Sequence, residues 1–135
     1  MNSKINLGIT GHIKITNQLG VTKWEDHNDI DPTISKQVVA CRLVGGVFSG
    51  NNGITKLEFN YGANITGFVD ITSYAVTDNE LTLTTIITDE QFTGLLNHLY
   101  LKTPSLGTFS SRENVGITKE AGETLYVTWK LIFNI

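Results

Sequence analysis

Apolar and polar residues alternate most regularly at the end of the chain. In Glu123-Thr-Leu-Tyr-Val-Thr-Trp-Lys-Leu-Ile-Phe-Asn-Ile135, every second residue is apolar: Leu125, Val127, Trp129, Leu131, Phe133 and Ile135. Successive side chains of a β-strand point to opposite faces, so this period of two places all six on one apolar surface. The opposite face carries Thr124, Tyr126, Thr128, Lys130 and Asn134, with Ile132 as its one aliphatic residue. The pattern predicts a long closing strand with one side against a core.

The same reading predicts the other elements. Ile9 to Thr16 reads as a first strand, Asn17-Gln18-Leu19-Gly20 as a turn, and Val21 to Glu25 as the returning strand of a hairpin. The segment after Glu25 is expected to be a turn leading into the chain's one helix. That helix has Asp31 as cap, Pro32 in the first position and Ile34, Val38, Cys41 and Leu43 or Val44 at helical spacing, and Gly45-Gly46 ends it. After the Gly-Asn-Asn-Gly turn at 50–53, Ile54 to Tyr61 reads as a strand. Phe68 to Thr77 and Glu80 to Ile87 read as a hairpin about Asp78-Asn79, because both turn residues tolerate positive φ. Thr88-Asp89-Glu90-Gln91 fits a capping box and predicts a turn of helix before Leu95. Leu95 to Leu101 and Gly107 to Arg112 precede the final strand. Seven or eight antiparallel strands with one short helix after the first hairpin predict a single mainly β domain spanning 1–135. The expected architecture is a β-sandwich, jelly-roll-like. Residues 1–7, polar and weakly patterned, are expected to form an N-terminal arm.

Composition narrows the classes. The 135 residues carry a net charge of −3 and are 17% charged, with no Lys/Arg run, which disfavours a nucleic-acid or anionic-membrane partner. A single cysteine, Cys41, excludes an intramolecular disulfide and fits a reducing cytosol. The first residues lack the apolar stretch of a signal peptide, and no segment approaches membrane-spanning length, so a soluble protein made in a cytoplasm is expected.

Candidate chemistry is sparse. Trp24-Glu25-Asp26-His27-Asn28-Asp29 is the densest polar cluster, and His27 would be the base or metal ligand beside Asp26 or Asp29. Neighbours in extended chain point apart, however, and His12 and His98 lie far away in sequence. Asp26, His27 and Asn28 are therefore expected to brace backbone, with Asn28 or Asp29 capping or bracing the turn into the helix. Cys41 on an apolar helix face reads as a small hydrophobe. The glycines at 45–46 and 50–53 lack the Gly-Lys-Ser/Thr of a phosphate loop, and Asp89 and Glu90 are adjacent, not spaced across a substrate. Trp24, Tyr61, Tyr74, Tyr100 and Tyr126 could include a sugar-stacking surface, whereas Trp129 belongs to the core. No catalytic, cofactor-binding or metal-ligating residue is predicted.

One resemblance extends this reading. Gly94, Asn97, Leu99 and Leu101 are followed by Gly107, Phe109 and Arg112, then by Ile117 and Lys119, and finally by Trp129, Leu131 and Phe133. Together with Gly11-His-Ile-Lys-Ile15, His27-Asn28-x-Ile30 and Phe59-x-Tyr-Gly62, this order resembles virion structural proteins of tailed bacteriophages. Tyr100 stands where that pattern has glycine. The resemblance implies a non-enzymatic particle component, either a capsid decoration or a tail or baseplate adaptor. It implies a virion location, synthesis in the host cytoplasm, and partners that are other virion proteins and copies of the same chain. The first strand, Ile9 to Thr16, has few charges and no proline, so it is the expected unprotected edge for a homo-oligomer. A carbohydrate- or receptor-binding module using exposed Trp24 and tyrosines is the alternative, and an enzyme around Asp26 and His27 ranks third.

Overall fold

The computed structural model describes residues 8–43, 53–104 and 107–134, with the side chains of 40–43 and 134 outside that description. The expected arm at 1–7, the helix end at Gly45-Gly46, the turn at 50–52, the Cys41 side chain and Ile135 therefore lie outside the described residues. Ten strands and one helix follow in order: β1 Gly8–Asn17, β2 Thr22–Ile30, α1 Pro32–Leu43, β3 Lys56–Tyr61, β4 Ile65–Asp70, β5 Ser73–Thr77, β6 Glu80–Ile87, β7 Gly94–Lys102, β8 Thr108–Arg112, β9 Ile117–Lys119 and β10 Leu125–Asn134.

The protein is mainly β, with its one described helix after the first hairpin, as its alternation predicts. All pairings are antiparallel. The strand order is β4-β3-β7-β8-β2-β1-β10-β6-β5, with β9 beside β7, and the sheet curls into a half-barrel. The curl turns at two places. β2 pairs with β1 as far as Asn28, then transfers to β8, where Asp29 and Ile30 face Ser111 and Ser110. On the far side, Ile71 N donates to Thr55 O beside β3, while the next residue, Thr72, donates to Thr84 O on β6. The two ends of the strand order, β4 and β5, thus meet through a two-residue link.

The concave face is the core. Ile13 faces Trp129 and Ile15 faces Val127 across β1 and β10; Leu125 and Trp129 in turn face Ile87 and Leu83 on β6. Leu57, Phe59, Leu99, Leu101 and Phe109 complete the cluster from the other half. Burial of this face is the main stabilising term, about 25 cal/mol for each Å² of apolar surface removed from water. Gly67 is required here, because a Cβ would lie 2.5 Å from Cζ of the Phe59 ring packed over it.

Several expectations are corrected. β1 is an interior strand, paired on both sides with β2 and β10, so it is not an exposed edge. The 26–30 segment is strand rather than turn, because its backbone completes the ladders to β1 and then β8. The expected strand at 68–77 is two strands, divided where the chain changes partners. Residues 88–91 form a turn and no helix. Thr88 N donates to Gln91 Oε1, which is one of the two capping-box contacts, but Gln91 N donates to the Thr88 carbonyl as in a turn, and Phe92 enters the core instead of continuing a helix. β9 adds a short strand missing from the expected count, because three residues are too few to show a period.

Candidate functional site

The polar cluster at 24–29 divides between two faces of β2. Register places Trp24, Asp26 and Asn28 opposite Ile15, Ile13 and Gly11, on the concave side. Arg112 from β8 spans the gap where β2 and β8 diverge. Its Nη2 lies 2.9 Å from Asp26 Oδ2, its Nη1 donates to His27 O at 3.4 Å, and its guanidinium stands 5.1 Å from the centroid of the Trp24 ring. The His27 N–H, and after it the Arg112 charge, outweigh desolvation and hold the Asp26 carboxyl below its usual range. Asn28 donates to Ser110 Oγ, and Ser110 in turn donates to Asp29 O at 2.8 Å. A side chain at Gly11 would overlap the Asn28 carboxamide, which is the local reason for that glycine. Asp26, Asn28 and Arg112 thus tie the two halves of the sheet together at the strand that passes between them.

The convex face carries the other members. His12 and His27 are directly opposed across β1 and β2, with ring centroids 6.4 Å apart. His12 Nε2 lies 2.7 Å from Glu25 Oε2, and this bond holds the Glu25 carboxyl below its usual range. His27 is 87% exposed, with its Nε2 4.0 Å from Asp26 Oδ1, on the solvent side of the Asp26–Arg112 pair. His98 sits on β7 and accepts from Asn114 N at 3.2 Å. The three histidines do not converge, and no group of three or more metal-ligating side chains occurs among the described residues. Asp31, not Asn28 or Asp29, enters the helix as its cap, accepting from Thr33 N at 2.9 Å and Ile34 N at 2.7 Å.

The aromatics take different positions. Trp129 is buried, whereas Trp24 is half-buried beneath Arg112 and is not the exposed stacking surface expected of it. Tyr61 stacks on Phe92, 4.5 Å between centroids, and closes one end of the core with the fully buried Lys119, whose Nζ donates to Phe92 O at 2.7 Å. Sequence reading placed Lys119 only in a family pattern; a lysine within a short polar strand gives no signal of burial.

Two of the recesses adjoin tyrosines. An apolar cavity of about 380 Å³ lies between α1 and the sheet, against Val38, Ile54, Leu83, Phe109, Leu131 and Phe133. The Tyr74 hydroxyl on its wall is spent on Ile54 O at 2.9 Å. A shallow polar depression of about 410 Å³ contains Tyr100, Asp29, Asp31, Thr108 and Ser111. Burial, then the nearby Glu113 and Glu58 charges, push the Tyr100 phenol above its ordinary value. Large apolar side chains are also left outside the core: Ile65 and Phe68 on β4, Tyr74 and Val76 on β5, with Val76 75% exposed. No helix among the described residues is long and apolar enough to cross a membrane. No known protein family, curated protein or solved structure matches the chain.

Proposed function

We propose that the protein is a non-enzymatic structural component of a tailed-bacteriophage particle, acting by protein–protein assembly on the capsid or tail. The observation that supports this reading is the concentration of exposed apolar side chains on the two end strands of the curled sheet. Ile65 and Phe68 on β4 and Tyr74 and Val76 on β5 sit on strands joined by two residues. Exposed apolar side chains mark interaction sites, and β5 has no charged residue or proline to deter partners. A jelly-roll-like sandwich belongs to the same reading, supported by the two halves of the sheet that share one core. Mass-spectrometric detection of the chain in purified virions, with sedimentation of the recombinant protein as a homo-oligomer, is the expected result. A chain absent from virions and monomeric at high micromolar concentration overturns the proposal.

A carbohydrate- or receptor-binding module is the second reading. It moves from Trp24 to Tyr100, whose ring lies in a depression with carboxylates and hydroxyls suited to sugar hydroxyls. Glycan-array binding lost in Tyr100→Ala would favour it.

A further inference from the structure

Three side chains, two flanking the β1–β2 turn and one from the 120–123 turn, meet at the tip of that hairpin. Glu123, nearly fully buried, is fixed by the 120–123 turn, where its N–H donates to Glu120 O at 3.1 Å and its Oε1 accepts Glu120 N–H at 3.0 Å. The same Oε1 lies 2.5 Å from Lys23 Nζ, and Oε2 accepts Asn17 Nδ2 at 3.1 Å. Lys23 Nζ also donates to Thr118 O at 2.5 Å. Asn17 Oδ1 accepts two backbone N–H groups, from Leu19 at 3.0 Å and Val21 at 3.1 Å. Desolvation raises the Glu123 pKa, but the bonds from Lys23, Glu120 and Asn17 outweigh it and hold the carboxyl below its usual range, so the resting state is an ion pair.

An ion pair alone explains Lys23 and Glu123. It does not explain why the carboxylate also holds the nitrogen of a carboxamide whose oxygen rests on two amide donors. An amine, a bridging carboxylate and a polarised amide are the parts that acyl transfer to an amine requires. Paired N–H groups stabilise charge developing on an oxygen, a carboxylate between two nitrogens can relay a proton, and fixed neighbours react with high effective concentration.

We propose that Lys23 and Asn17 become joined by an intramolecular isopeptide bond, with Glu123 as the proton carrier. Glu123 takes a proton from the Lys23 ammonium, and the freed lone pair of Nζ attacks Asn17 Cγ. The new C–N bond drives charge onto Oδ1, where the Leu19 and Val21 N–H groups hold it. Glu123 passes its proton to Nδ2 and takes a second one from Nζ. The Cγ–Nδ2 bond breaks, ammonia leaves, and it collects the proton from Glu123. An ammonium and a primary amide thus become a secondary amide and an ammonium ion, with no oxidant or cofactor. The reaction occurs once per chain and clamps the hairpin tip that presents the exposed Leu19 and Val21. It rests on this cluster alone and is independent of the particle in which the protein works.

Intact mass spectrometry of the purified, folded full chain tests it. The expected mass lies about 17 Da below that of the sequence, the loss of one ammonia. Trypsin should then fail to cleave after Lys23, giving a peptide from Ile15 to Lys36 that carries the same deficit. Lys23→Arg and Glu123→Gln should both show the full sequence mass, with circular dichroism confirming the fold of each. If Glu123→Gln does not fold, Lys23→Arg decides. Full sequence mass in the unaltered protein overturns the proposal. So does a deficit that persists in Lys23→Arg, which would mark a succinimide at Asn17 instead.

Discussion

Trp129 and Lys119 show how differently two buried residues can act. Trp129 sits in the middle of β10, facing Ile13 on one neighbour and Leu83 on the other. Trp129→Ala should cost about 3–5 kcal/mol, the range for removing a large aromatic that leaves a cavity; equilibrium denaturation checks this, and a cost below about 1 kcal/mol would contradict the packing. Lys119 is fully buried, and desolvation, against the opposing charges of Asp89 and Glu123, pulls its pKa below the ordinary lysine value. The unfolded chain therefore binds more protons than the folded one between the folded-state pKa and the ordinary value. Stability from this group rises with pH through that window and is lost as pH falls through the folded pKa. Lys119→Met should remove that rise, seen as a smaller alkaline gain in urea midpoint than the unaltered protein shows. Identical slopes in the two proteins would show that Lys119 is not desolvated.

Helix and strand ends are decided by a few polar atoms. Asp31 stops β2 and starts α1 in one residue: its backbone N–H donates to Phe109 O on β8, while its carboxylate caps the first turn. Asp31→Ala should lower stability by about 1 kcal/mol, the usual cost of losing an N-cap, with Asp31→Asn retaining most of it. Thermal melts of the two variants give the comparison, and equal melting temperatures would show that the cap contributes nothing. The same residue shows why β2 outruns its expected end at Glu25. Asp26, Asn28 and Ile30 point to the concave side, but the two polar ones do not look like core residues until Arg112 and Ser110 arrive from β8.

For the molecule as a whole, the end strands carry the assembly reading. β4 and β5 expose Ile65, Phe68 and Val76, while the interior strands bury most of their large apolar side chains, Leu95 on β7 excepted. A charge placed there should weaken association without loosening the core. Phe68→Lys and Val76→Lys are expected to shift sedimenting species toward monomer with melting temperatures unchanged. Oligomers of unaltered size in both variants would move the contact surface elsewhere.

The closing strand, the first hairpin, the capped helix and the Asp78 turn were legible in the sequence, because each depends on local periodicity or on a few residues with distinct backbone preferences; Asp78 does take positive φ. The place of each strand in the order was not. β1 has the composition of an unprotected edge, yet it lies between β2 and β10, since neighbour choice depends on which faces can be buried together. The change of partners by β2, and at Ile71-Thr72, likewise leaves no mark in alternation, because a strand keeps its period of two while its hydrogen bonds move to another neighbour. The burial of Lys119 and the meeting of Asn17, Lys23 and Glu123 are tertiary for the same reason. Glu123 lies 106 residues from Asn17, and only the pairing of β1 with β10 brings the two within a hydrogen bond.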